Sequence, residues 1–151
     1  VGAEPRTRRE GGPAAVAACG AMDANQATAI VDEFIRRVVG KDLDGACELV
    51  TDDCEYDNVP MGKNIGPEGI KAFLAPMVDS LDEVQFVVHR QTATGNVVMN
   101  ERTDRFRTGD TWMDLPVCGV FELTEDGKIA LWRDYFDLPT MMDQIAALGG
   151  G

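Results

Sequence analysis

Ala27, Ile30, Val31, Phe34, Ile35 and Val38 recur at the three- and four-residue spacing that gathers side chains on one face of a helix. Asp23 precedes this run with Gln26 three residues on, in capping-box spacing, and Gly40 closes it. The pattern predicts a helix over about 23–40 and a short second helix from Asp42 to Val50. Residues 53–59 alternate as a strand does and stop at Pro60 and the Gly62 region. Gly66-Pro67-Glu68 opens a third helix with proline at its first position. Ile70, Leu74, Met77 and Leu81 form its apolar stripe, and Pro76 inside the stripe is expected to kink or shorten it.

From residue 84 the period changes to two. Strands are predicted over 84–93, 96–107, 112–124 and 128–136, joined at Thr94-Gly95-Asn96, Thr108-Gly109-Asp110 and Glu125-Asp126-Gly127. Links so short and turn-rich imply antiparallel hairpins. A final helix, opened by Asp137 and Pro139, carries Met141, Met142, Ile145 and Leu148. Helices first and a strand meander afterwards indicate an α+β domain over 23–148, with helices packed on one face of a curved sheet. Residues 1–22 are rich in Gly, Ala, Pro and Arg without apolar periodicity, and are expected to form a disordered extension.

Composition narrows the function. A net charge of −12, from 14 basic and 26 acidic residues, argues against nucleic acid as a partner. The longest apolar stretches fall far short of the ~20 residues of a membrane span. Cys19, Cys47, Cys54 and Cys118 show no C-x-x-C pairing, so neither a zinc site nor a disulfide framework is suggested, and a reducing cytoplasm is the expected home. His89 is the only histidine and lies in an ordinary strand pattern, which excludes most histidine-dependent metal sites. Asp52, Asp53, Glu55 and Asp57 lack the ligand spacing of a calcium loop and read as a solvated edge. Chemistry is thus left to carboxylates, tyrosine, arginine and amides, with no metal and no cofactor.

Alternation tells which side chains share a face. On strand 96–107, Val98, Asn100, Arg102, Asp104 and Phe106 form the inward set, against the more polar Met99, Glu101, Thr103, Arg105 and Arg107. On strand 53–59, Tyr56 and Asn58 face in while the acids face out. On strand 128–136, the set with Trp132, Asp134 and Phe136 competes with Leu131, Arg133 and Tyr135, and periodicity leaves the choice open. Tyr56, Asn58, Arg102, Asp104 and Asp134 can therefore meet in one apolar interior. One arginine between two acids favours keeping one acid protonated in a dry site, which supplies an acid and a base together. A buried Asp-Arg-Asp network that merely fixes the fold is the alternative on pattern alone.

Tyr56-Asp57-Asn58-Val59-Pro60, Glu101-Arg102-Thr103-Asp104, Gly119-Val120-Phe121 and Trp132-Arg133-Asp134-Tyr135-Phe136-Asp137 resemble segments of limonene-1,2-epoxide hydrolases, in order and rough spacing. The resemblance spans about residues 23–148 and implies a cone-shaped NTF2-like, or SnoaL-like, fold: a strongly curved mixed sheet around a deep apolar pocket. It also implies one-step hydrolysis of small hydrophobic cyclic or terpene-like epoxides to vicinal diols. In that scheme Asp134 is the general base, Asp104 the general acid, Arg102 the bridge between them, and Tyr56 and Asn58 position the water. Expected pocket-lining side chains are Ile35, Val38, Leu74, Met77, Leu81, Phe106, Leu115, Val117, Phe136 and Met141, and a homodimer is implied. A SnoaL-like isomerase or cyclase, or a non-catalytic binder of hydrophobic small molecules or dimerisation module, is the alternative.

Overall fold

Asp23 accepts hydrogen bonds from the backbone N–H groups of Asn25 at 2.8 Å and Gln26 at 2.9 Å, and Gln26 Oε1 accepts from Asp23 N–H at 3.4 Å. That closed capping box starts helix α1, Ala24–Val39. At its other end Gly40 keeps an ordinary φ of −77° and the left-handed turn falls on Lys41 at φ 63°. The computed structural model describes residues 22–149. The expected extension over 1–22 therefore lies outside the described residues except for Met22, which is buried in the core rather than loose.

The remaining elements are α2 (Leu43–Cys47), β1 (Val50–Asn58), β2 (Gly62–Ile65), α3 (Gly66–Ser80), β3 (Glu83–Thr94), β4 (Val97–Thr108), β5 (Thr111–Leu123), β6 (Ile129–Tyr135) and α4 (Leu138–Gly149). Helix α3 begins one residue before Pro67, at Gly66, so the proline sits at its second position rather than its first; Pro76 does not shorten it, and it continues to Ser80. Burial of Ile70, Leu74 and Val78 on one face outweighs the single backbone N–H that proline cannot supply.

The six strands of the described residues form one sheet in the order β2-β1-β6-β5-β4-β3. The hairpins β3–β4, β4–β5 and β5–β6 are antiparallel, as the short turns demand. Strand β1, by contrast, pairs parallel with β6, and β2 folds back antiparallel on β1. The result is α+β, with helices packed against a curled mixed sheet. The buried face of α1 rests on β3 and β4, and α3 rests on β1. Phe34 of α1 meets Trp132 of β6 edge-on at 5.1 Å, and Trp132 stacks on Tyr56 of β1 at 3.9 Å. Such aromatic pairs add about 0.5–1.5 kcal/mol beyond their buried area. Asp57 departs from the expected solvated edge: it is buried, because Arg133 of the neighbouring strand folds over it and donates to it at 2.8 Å.

Candidate active site

The pairing register assembles the site. Asn100 of β4 lies opposite Gly119 of β5, Gly119 opposite Asp134 of β6, and Asp134 opposite Asn58 of β1. One row of backbone pairs thus carries polar groups from three strands across the concave face. Arg102, two residues along β4 from Asn100, reaches over this row. Its Nε donates to Asp104 Oδ1 at 2.7 Å, and Nη2 donates to Asp104 Oδ2 at 3.1 Å and to Asp134 Oδ2 at 2.7 Å. Nη1 donates to Asn100 Oδ1 at 3.0 Å. The planar fork of the guanidinium suits this two-sided grip, which a lysine could not reproduce. Gly119 makes it possible: a Cβ there would stand 2.2 Å from Arg102 Nη1 and 3.0 Å from Asp134 Oδ1.

The ambiguity on β6 is resolved. Trp132 and Asp134 point inward and are buried, whereas Tyr135 is exposed. Trp132 is also more than a neighbouring wall, since its Nε1 donates to Asp134 Oδ1 at 3.0 Å.

Burial sets the electrostatics. Arg102 is 1 % exposed and Asp134 4 %, so both charges are withdrawn from bulk solvent. Desolvation pushes Asp104 up to about 7; the pull of Arg102 opposes this, and the nearby Asp134 charge adds to it. Desolvation likewise raises Asp134, against the donors Arg102 and Trp132. Burial alone would weaken the hold of Arg102 on its proton, but the two carboxylates more than compensate and keep it charged. Tyr56 is raised above its ordinary value by burial and then by Asp134, so its phenol stays a neutral donor. One cation thus faces two acids in a medium that favours a single negative charge, and the pair titrates as a unit.

Above this row a cavity of about 430 Å³ opens between the sheet, α3 and α4. Tyr56, Asn58, Asp104 and Asp134 all reach it, whereas Arg102 stays behind its carboxylates and does not. Leu74, Met77, Leu81, Phe106, Leu115, Val117, Phe136 and Met141 line it as expected. Ile35 and Val38 do not: α1 packs on β3 and β4, and both side chains are buried in the same core cluster as Phe34. Further apolar walls come from Met61, Phe73, Phe86 and Met113, and from Ile145 and Leu148 of α4. Asn58 buries an amide nitrogen that has no hydrogen-bond partner among the described residues.

His89 is exposed and pairs with Thr103 Oγ1 at 2.9 Å, away from the cavity. Among the described residues no three His, Cys, Asp or Glu side chains gather as a metal ion requires. The sequence pattern does not mark Asn100 and Gly119 as site residues. Asn100 belongs to the inward set of its strand, but an isolated amide carries no distinguishing signal.

The model of the limonene-1,2-epoxide hydrolase catalytic domain matches residues 25–147. An epoxide hydrolase of Mycobacterium tuberculosis, EphG, is 35% identical over 111 residues, which cover 74% of this chain and 73% of that protein. A solved structure of an LEH-like epoxide hydrolase from M. tuberculosis superposes with a TM-score of 0.71 at 31% identity, covering 85% of this chain and 98% of that one. A SnoaL-like protein from Shewanella denitrificans superposes with a TM-score of 0.72 at 17% identity, covering 80% and 97%. That last likeness speaks for the fold alone.

Proposed function

The chain belongs to the limonene-1,2-epoxide hydrolase family, and from that premise we propose that it adds water to small hydrophobic cyclic or terpene-like epoxides in one step, giving vicinal diols. The observation that carries this reading is the Arg102 fork, which joins two buried carboxylates that both reach an apolar cavity. Asp134 is the base. It accepts from Trp132 and Arg102, which favours its ionised form, and it lies beside Asn58. Asn58, whose amide nitrogen meets no partner among the described residues, and Tyr56 hold the water. Asp104, pushed up to about 7, carries the proton.

In the reaction, water oxygen bonds to one epoxide carbon as that carbon's bond to the ring oxygen breaks. The water proton passes to Asp134, and the Asp104 proton passes to the ring oxygen. Return of a proton from Asp134 to Asp104 resets the pair. Each positioned acid or base supplies ~10²–10⁴-fold, and release of ring strain lowers the remaining demand. Fourteen of the cavity's lining residues are apolar, which excludes bulk water and accepts hydrocarbon rings.

A panel of epoxides assayed for diol by chromatography tests the activity. In ¹⁸O-labelled water the first turnover should already place solvent oxygen in the diol. Unlabelled first-turnover product would indicate an enzyme ester and overturn the mechanism. Tight binding of apolar ligands, with no diol from any epoxide, would favour a binding protein instead.

The same proposal includes a homodimer and a cytoplasmic home. Exposed Val87, Met99 and Tyr135 on the outer sheet face are consistent with pairing through the sheets. Light scattering after size exclusion should give twice the mass of the chain. The free thiols of Cys47, Cys54 and Cys118 fit a reducing compartment.

A further inference from the structure

Nη1 is the one nitrogen of Arg102 that bonds to no carboxylate among the described residues; its partner is Asn100. Asn100 is 2 % exposed and does not line the cavity. Its own Nδ2 donates to Gln91 Oε1 at 3.0 Å, and Gln91 Nε2 donates to Asp32 Oδ1 of α1 at 2.8 Å. Gln91 is half-buried, Asp32 is exposed, and Gln91 lies opposite Asn100 in the β3–β4 pairing.

This chain of bonds has a direction. A guanidinium can only donate, and an ionised carboxylate can only accept. Between two such ends the amides of Asn100 and Gln91 have one arrangement that satisfies every link. The oxygen of Asn100 is thereby turned toward Nη1. Gly119, directly opposite, leaves the space that Nη1 occupies, and a Cβ there would also lie 2.9 Å from Asn100 Oδ1.

We propose that Asn100 is a positioning residue for the reaction. Its amide oxygen holds Arg102 Nη1 over Gly119, so that Nε and Nη2 present a fixed fork to Asp104 and Asp134, while Gln91 and Asp32 fix the way the amide faces. The inference rests on the hydrolase reading and adds to it a residue that touches neither substrate nor water. The titratable and charged groups facing this guanidinium are Asp104 of β4, Asp134 of β6, Tyr56 of β1 and, through the two amides, Asp32 of α1. Strand β3 adds the Phe86 ring at 4.9 Å, and β5 sets Val117 opposite Arg102 and Gly119 beneath Nη1, so neither strand contributes a charge.

The test compares Asn100→Leu and Asn100→Asp in the full chain, measuring kcat and KM over about pH 5–9 with an epoxide that the parent hydrolyses. A ¹³C titration of the Asp104 carboxyl accompanies the kinetics. Leucine, which offers no acceptor, should lower kcat ~10-fold or more with KM within about twofold. Aspartate keeps an oxygen against Nη1 and should retain kcat within about threefold at its own optimum, while the added anion moves the alkaline limb up by roughly one pH unit. Unchanged kcat in folded Asn100→Leu, or an unmoved limb in Asn100→Asp, overturns the proposal. Should Asn100→Leu not fold, Gln91→Leu decides: kcat lowered about threefold at constant KM supports it, and unchanged kcat overturns it. If the parent hydrolyses no epoxide, the hydrolase reading fails separately. The Asp104 titration then decides alone: an upward move in Asn100→Asp supports the hold on Arg102, and an unmoved titration overturns it.

Discussion

Asn58 on β1 and Asp134 on β6 stand directly opposite each other across the only parallel pairing among the described strands. Every other pairing in the sheet is antiparallel. This one join brings the amide that would hold a water beside the carboxylate that would deprotonate it. The geometry fixes what each substitution should do.

Asp134→Asn removes the proposed base and keeps the shape. Turnover should fall by ~10²–10⁴-fold. Burial disfavours the charge that is removed, and Asp104 remains to pair with the buried Arg102, so the melting temperature should change little. Calorimetry beside a diol assay checks both halves, and an active variant would sink the assignment.

Asn58→Ala separates water-holding from folding. The lost side chain carries a buried amide nitrogen without a partner among the described residues, a feature that costs about 1–3 kcal/mol. Activity should drop by ~10²-fold, the usual contribution of an aligning group, while thermal stability changes little. A large fall in melting temperature would mean that Asn58 is structural.

Gly119→Ala places a methyl group where the guanidinium lies, 2.2 Å from Nη1. The arginine is anchored by its bonds to Asp104, Asp134 and Asn100 and cannot swing aside without breaking the fork. Overpacking of this kind costs about 1–3 kcal/mol, and kcat should fall with it. Wild-type kinetics in this variant would show that the fork is dispensable.

Stability should depend on pH through Asp104. Its folded value of about 7 lies above the ordinary 3.8, so the folded state holds the proton more tightly than the unfolded chain does. The resulting stabilisation is full below about pH 4 and is lost as pH rises through about 7. Chemical denaturation at several pH values should show this decline, and Asp104→Asn should flatten it. In the proposed mechanism activity needs the same proton, so its alkaline limb should also fall near pH 7.

Much of this was legible in the sequence because it depends on local chemistry. The capping box at Asp23, the three hairpin turns and the inward set on β4 follow from short-range rules. What escaped depends on how elements meet. The stripe of α1 reveals that Ile35 and Val38 are buried, but not that they face the core instead of the cavity. Asp57 reads as an exposed acid until Arg133, 76 positions later, is seen to cover it. Asn100 and Gly119 acquire meaning only once the register sets them beneath Arg102.

The parallel join of β1 to β6 also has a kinetic consequence. Strands β3 to β6 form a run of local hairpins, which close cheaply, whereas β1 must return across the whole meander to find β6. The acid pair is therefore expected to assemble before β1 arrives, and the proposed catalytic competence should be the last property recovered on refolding. Trp132 reports this moment, because its stacking partner Tyr56 arrives with β1. Stopped-flow fluorescence of Trp132, in a Trp112→Phe background, should change together with the return of activity and after most of the sheet signal in circular dichroism. Activity that recovered ahead of that change would place the docking of β1 earlier.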